Sequence, residues 1–274
     1  MNGKRTLKIV ALIFGGLLVF VIALGAFVYI TAPDRFNVLI VGSDQRGDEQ
    51  ARSDVLMVFS IPKSPHQPIS LITIPRDTRV EVPGHGTQKI THAYALGERE
   101  DGRLGGVTLT RETVEDFLGI DIHASAEFTF ESFRDLVDEL GGVDTDEGHV
   151  DGEEALSIVR DRYRAGGDFA RTEDQREIFL NLGQTITTPA IARQVYNFFT
   201  EHPETRLKYS TLPAGQFAFA AYARRWGNFD LTNTYSDFIP GGGDTIYTPE
   251  FDANLYYWVP DEAATKELVK TYLK

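Results

Sequence analysis

"FNVLIVGSDQRGDEQARSDVLMVFSI", residues 36–61, decides the fold. Two β-rich runs, 36–41 and 55–61, flank a polar link that opens with Gly42. A third run, "ISLITI" at 69–74, follows a connection punctuated by Pro62, Pro65 and Pro68. If the three strands run up, down and up, the charged groups at their ends share one edge of a sheet. These are Asp44 after the first strand, Arg52 and Asp54 before the second, and Arg76 and Asp77 after the third.

Helices and strands interleave through the rest of the chain. Residues 79–82 read as a fourth strand before "PGHG", and 120–128 alternate like a strand. Residues 109–118 and 130–140 carry apolar side chains at helical spacing, the second stretch stopping at Gly141–Gly142. Asp151 caps a helix over 154–159, and Thr172 with Gln175 has the spacing of a capping box. Helices are expected at 190–199, 216–226 and 261–273, a strand at 255–259, and a loop at the "GGG" of 241–243. This order predicts one α/β/α sandwich with a central mixed sheet over 33–274.

Residues 1–8 carry Lys4, Arg5 and Lys8 and no acid, whereas 9–32 hold no charge for 24 positions. About 20 apolar helical residues span a hydrocarbon core, and no small-residue cleavage site follows, so 9–32 is expected to be an uncleaved transmembrane helix. The flanking cations keep residues 1–8 cytoplasmic and place the remainder outside the cell membrane. The whole chain has a net charge of −13. Removing the three cations of residues 1–32 leaves 24 basic and 40 acidic side chains, near −16. That balance argues against nucleic acid as a partner. The chain has no cysteine, which excludes disulfides, thiolate metal sites and a Cys nucleophile. No HExxH, GxSxG, P-loop or GxGxxG pattern is present, and the six histidines are scattered.

On this acidic body, Arg160, Arg162, Arg164, Arg171 and Arg176 fall within 17 positions. They either form surface salt bridges with Asp161, Asp168, Glu173 and Asp174 or build an anion site. Guanidinium is planar, permanently charged and multi-donor, as a pyrophosphate requires. Gly166–Gly167 permits a tight turn, and the helix expected after Thr172 offers free N–H groups. Asp44 and Asp54 are either a Mg²⁺ site or two aspartates occupying turns.

The stretches "NVLIVGSDQR", "ARSDVLMVFSI", "ISLITIPRDTRV", "QKITHAYALG", "LVDELGGVD" and "DGEEALSIVRDRYRAGGDFARTEDQ" occur in this order over residues 37–182. Together they resemble the LytR–CpsA–Psr family of membrane-anchored cell-wall glycopolymer transferases. The resemblance implies a central sheet between helices and an apolar tunnel for a lipid. It implies a donor polymer, such as a teichoic acid or capsular polysaccharide, on polyprenyl pyrophosphate, and a peptidoglycan acceptor in a Gram-positive-type bacterium. By the same resemblance Asp44 and Asp54 hold Mg²⁺, and Arg52, Arg76, Arg160 and Arg162 hold the pyrophosphate. Asp168, Arg171 and Gln175 complete the site, with Lys89 of "QKIT" a further contact. Asp77 or Asp168 takes the acceptor hydroxyl's proton. Phe128, Phe130, Phe133, Leu136 and Val137 are either tunnel wall or ordinary core. Two departures stand out: Ala170 replaces a usual glycine, and the segment 145–150 is short. The runner-up readings are a Mg²⁺-dependent polyprenyl-pyrophosphate hydrolase and a non-catalytic polymer-binding or attenuator protein.

Overall fold

The computed structural model describes residues 16–20, 22–27, 30, 32–43, 53–64, 66–161, 168–186, 188–202, 205–209, 231, 233–248 and 252–274. The core is a six-stranded mixed sheet in the order β10-β3-β2-β1-β6-β9. Its strands are β1 (Arg35–Ser43), β2 (Ser53–Pro62), β3 (Ser70–Thr73), β6 (Ala124–Thr129), β9 (Arg206–Tyr209) and β10 (Tyr235–Phe238). β1, β2 and β3 are successively antiparallel, so they do run up, down and up. β6 lies parallel to β1, and β10 parallel to β3.

The near-continuous apolar run of β1 has a reason: both sides of the sheet are covered. On one face Leu39, Val41, Leu56, Val58, Ile72 and Ile74 pack with residues of α1 (Thr91–Leu118) and α6 (Glu262–Tyr272). On the other, Ile40, Met57, Leu71, Ala126 and Phe128 meet α4 (Asp168–Thr185) and α5 (Pro189–Glu201). Beside these lie α2 (Phe130–Glu139) and α3 (Gly152–Arg160). The architecture is thus a mixed α/β fold with helices on both faces. Phe128, Phe133, Leu136 and Val137 are buried in these packed clusters, as ordinary core side chains would be.

Several elements differ from the sequence expectation. The helix expected at 109–118 is the second half of α1. Asp101 (φ −143°) and Gly102 (φ 61°) break its course, and the two halves fold back on each other. Gly97 and Gly105 make that approach possible, since a Cβ on Gly97 would sit 2.3 Å from the Gly105 carbonyl oxygen. Gly97→Ala is therefore expected to destabilise the fold by about 2 kcal/mol, read as a lower midpoint in urea with an unchanged slope. The strand expected at 120–128 starts only at Ala124, because 120–123 is the lead-in from α1. α4 begins at Asp168, so Thr172 lies inside the helix instead of capping it. Ala170 is helical, and its lack of glycine's left-handed freedom costs nothing there. Asp151 does cap α3, in a capping box with Glu154. The short segment 145–150 is a tight hairpin between β7 (Val143–Thr145) and β8 (Gly148–Val150). The glycine run is the start of β11 (Gly241–Thr248), paired antiparallel with β12 (Ala253–Pro260), and not a loop. The helix expected at 216–226 lies outside the described residues.

The sheet has two ends with different chemistry. At the lower end the start of β1 is tied to the chain's last described residues. Asn37 Nδ2 donates to the Leu273 carbonyl at 3.2 Å, and Ser70 Oγ donates to the Tyr272 carbonyl at 2.6 Å. The upper end, where β1 finishes, carries the polar groups. With nine residues in β1, the two ends are about 30 Å apart.

Candidate functional site

The upper edge is built by strand register. Ser43 pairs with Ser53 of β2 and with Thr129 of β6, so these strand ends lie level. β3 leaves the sheet through Pro75, bringing Arg76 and Asp77 to the same edge. Their backbone is pinned from two sides: the Arg76 carbonyl accepts from Thr91 N–H at 3.2 Å, and the Asp77 carbonyl accepts from Trp258 N–H at 2.9 Å. Thr91 Oγ1 in turn donates to the Ser53 carbonyl at 3.0 Å, which ties the start of α1 to the start of β2.

The side chains then form a chain of alternating charge. Arg76 Nη1 donates to Asp54 Oδ1 at 3.1 Å, and its Nε lies 3.5 Å from Asp77 Oδ2. Lys89, at the end of β5 (Gly86–Lys89), reaches Asp77 Oδ1 at 2.6 Å, with its ammonium 5.6 Å from the Tyr257 ring centre. All four side chains are between 16% and 26% exposed, dry enough to strengthen the ion pairs and open enough to admit an anion. Asp77 has a cation on each carboxylate oxygen and so holds Arg76 and Lys89 in position.

Arg160 joins this edge through a different contact. It ends α3, with its guanidinium 4.9 Å from the centre of the Phe130 ring. Phe130 follows Thr129, whose register partner is Ser43, the residue before Asp44. Gln175 is buried and donates from Nε2 to the Val159 carbonyl at 3.0 Å. Its role in the structure is to clamp α4 onto the end of α3, one residue from Arg160. Asp44, Arg52 and Arg162 lie outside the described residues. For Asp168 and Arg171 the description covers only the backbone, in the first turn of α4.

Arg76 and Asp77 open onto a cavity of about 270 Å³, lined also by Pro75, Thr172, Phe238, Tyr256 and Trp258. Thr172 brings α4 to the cavity wall. One turn later Arg176 places its guanidinium 5.9 Å from the Phe238 ring centre, within 3.9 Å of Glu173. Phe238 meets Trp258 edge to face at 5.8 Å. Sequence reasoning missed this aromatic wall. Its signal was present in "YYWV": Tyr256 and Trp258 are two apart on a strand and so face one way. Among the described residues, no group of three or more His, Asp or Glu side chains converges as a metal site.

This cleft joins a basic and acidic strand edge to a helix start and an apolar wall. It suits an anionic group attached to something larger. The LytR_cpsA_psr family model matches residues 26–149 and 145–271. The chain is 31% identical over 256 residues to a polyisoprenyl-teichoic acid–peptidoglycan teichoic acid transferase TagU of Bacillus anthracis, covering 83% of this chain and 75% of that one. TagU of Bacillus cereus is 32% identical over 262 residues, covering 88% and 79%. Among solved structures, TagV of B. subtilis superposes with a TM-score of 0.65 at 27% identity, over 87% of this chain and 95% of that one. TagT bound to LIIa-WTA gives 0.64, also at 27% identity, over 86% and 89%. With matches running from the first strand through the aromatic hairpin, the chain belongs to the LytR_cpsA_psr family.

Proposed function

We propose that this protein is a membrane-anchored transferase that moves a phosphate-linked glycopolymer from a polyprenyl pyrophosphate carrier to peptidoglycan. The observation that carries the reading is the Asp54–Arg76–Asp77–Lys89 network at the mouth of a cavity. It occurs in a chain that is 31% identical, over 256 aligned residues, to a relative named as such a transferase. Phosphoryl transfer asks mainly for positioning and for neutralisation of charge on the phosphate oxygens. Arg76 and Lys89 supply fixed positive charge, and Arg160 adds more where β1 ends. Arg52, Arg162 and Arg171 complete the anion site by resemblance to the family, and Gln175, placed there by the same resemblance, acts by holding α4 against the end of α3 beside Arg160.

Asp54 is a hard oxygen donor beside this cluster and fits Mg²⁺, with Asp44 as its partner by resemblance. Bound there, Mg²⁺ would neutralise charge on the phosphates and orient them. Asp77 is engaged by two cations, Arg76 and Lys89, and fixes both beside the cavity that Arg76 lines. The acceptor hydroxyl's proton is assigned to Asp168. Residues 16–20 and 22–27 are helical, and Leu17, Leu18, Phe20, Ile22 and Phe27 are exposed. That apolar surface suits a lipid environment and supports the anchor over 9–32. Among the described residues no helix is long and apolar enough to cross a membrane.

The test is a reconstituted reaction of full-length protein in detergent with a labelled lipid-linked polymer and peptidoglycan. Label is expected to become wall-linked, with loss of at least tenfold in Asp54→Asn and on chelation of Mg²⁺. Release of free polymer with no wall-linked product would make the protein a hydrolase.

A further inference from the structure

The aromatic side of the cavity does not stop at its rim. It continues outward along the β11–β12 hairpin. Strand pairing sets Gly243 opposite Trp258, Thr245 opposite Tyr256, and Tyr247 opposite Asn254. Side chains alternate along each strand and opposed residues share a face. One face therefore carries Gly241, Gly243, Thr245 and Tyr247 beside Asn254, Tyr256 and Trp258.

The two glycines of that face lie beneath the two rings. A Cβ on Gly243 would lie 2.6 Å from Tyr256 Oη and 2.7 Å from a carbon of its ring, and one on Gly241 would lie 2.9 Å from Trp258 Nε1. The Tyr256 ring therefore crosses bare backbone at Gly243, where any larger residue would displace it, whereas at Gly241 the Val259 carbonyl oxygen, 2.3 Å from such a Cβ, is met before the Trp258 ring. Trp258 is further fixed by donating from Nε1 to the Ile239 carbonyl at 3.0 Å. Tyr256 lines the cavity and is still 47% exposed, and Tyr247, farther out, is 56% exposed. The Tyr247 hydroxyl donates to Asp252 Oδ1 at 2.8 Å, which steadies its ring.

The charge of the hairpin selects the occupant. From 241 to 260 the sequence has Asp244, Glu250 and Asp252 and no lysine or arginine. A polyphosphate donor chain or an anionic bilayer would be repelled. The hairpin also springs from the upper edge, about 30 Å from the end of the sheet where Pro33 enters. A neutral sugar chain fits this face: pyranose C–H faces lie on aromatic rings while hydroxyl, amide and carboxylate groups at the margin take hydrogen bonds.

We propose that the β11–β12 hairpin is the acceptor subsite, on which Tyr256 and Tyr247 stack consecutive amino-sugar rings of a peptidoglycan glycan strand. This rests on the transferase reading of the cavity. The strand would run along the hairpin into the cavity, bringing a sugar hydroxyl to the phosphate held at Arg76.

The test titrates full-length protein in detergent with purified peptidoglycan fragments of four to eight sugars, by calorimetry. In parallel, the KM for acceptor and for lipid-linked donor are measured. Tyr256→Ala and Tyr247→Ala are each expected to raise the fragment Kd and the acceptor KM about tenfold, and Tyr247→Ala, outside the cavity, to leave the donor KM within about twofold. Tyr256→Phe keeps the ring and should recover most of the loss. Tyr247→Ala, on the outer hairpin, keeps the proposal testable if Tyr256→Ala does not fold. Normal transfer with unchanged acceptor KM in both alanine variants overturns the subsite and leaves the transferase reading standing. Tyr256-dependent fragment binding by a protein that transfers nothing supports the subsite and removes that reading. Loss of binding to phosphatidylglycerol vesicles, with fragment binding intact, overturns the subsite in favour of a membrane surface.

Discussion

Arg76→Ala is expected to lower glycopolymer transfer about a thousandfold, with the melting temperature moved by no more than a few degrees. The size follows from the position of this guanidinium. It touches Asp54 at 3.1 Å and Asp77 at 3.5 Å and also faces the cavity. Its loss removes a phosphate contact and at the same time releases the two carboxylates it aligns. Removing one pre-set donor to a developing anion costs about 10²–10³ in rate, and the two freed carboxylates add repulsion toward the substrate. Stability should change little, because the side chain is a quarter exposed and water can solvate what remains. Arg76→Lys restores the charge but not the planar fork, so it should recover about tenfold at most. A purified Arg76→Ala protein within tenfold of the native rate would remove Arg76 from the reaction.

Arg103→Met is expected to have the largest effect on stability, about 3 kcal/mol or more. Glu127, on β6 between β1 and β9, is fully buried. It accepts a hydrogen bond from the buried Tyr94 hydroxyl and faces Arg103, whose Nη2 is 3.3 Å from Glu127 Oε1. Burial first, and then the charge on Glu127, push the Tyr94 phenol well above its usual pKa. Taking away Arg103 removes a cation from a carboxylate buried in an apolar layer, which is costlier than burying neither charge. For a domain of this size the melting temperature should fall by about 6–12 °C. The double variant Arg103→Met/Glu127→Leu should regain most of the loss, because both charges are then gone. Equal destabilisation in the single and double variants would show that packing, not charge, sets the effect.

How much of this was legible in the sequence depends on the range of the interactions. β1, β2 and β3 are local runs, and an antiparallel order for them is enough to put Asp54, Arg76 and Asp77 on one edge. The Asp151 cap was equally readable, since a capping box involves residues three apart. The helix start at Asp168 was missed because Thr172 and Gln175 match the capping pattern, while tertiary contacts use them otherwise. Gln175 turns to Val159 and Thr172 to the cavity. The first half of α1 was hidden by its glycines, which weaken the helical pattern but are required by the fold-back at Gly97 and Gly105. The aromatic wall escaped because it joins residues about 180 positions apart: Arg76 and Asp77 with Tyr256 and Trp258. No local period announces such a meeting. The glycine run read as a loop for a related reason. Its strand character comes from pairing with β12, and two of its glycines are required by long-range contacts: Gly241 by the Val259 carbonyl and Gly243 by the Tyr256 ring.

The tie between Asn37 and Leu273 also governs timing. These residues are 236 positions apart, and Ser70 and Tyr272 are 202 apart. Ribosomes build a chain from its amino end, so the lower ends of β1 and β3 must wait for these last ties, made more than two hundred steps later. Contacts of such long sequence separation form late and slow maturation. A half-made molecule should therefore expose β1 and β2 to proteases and to sticky neighbours until α6 has been completed.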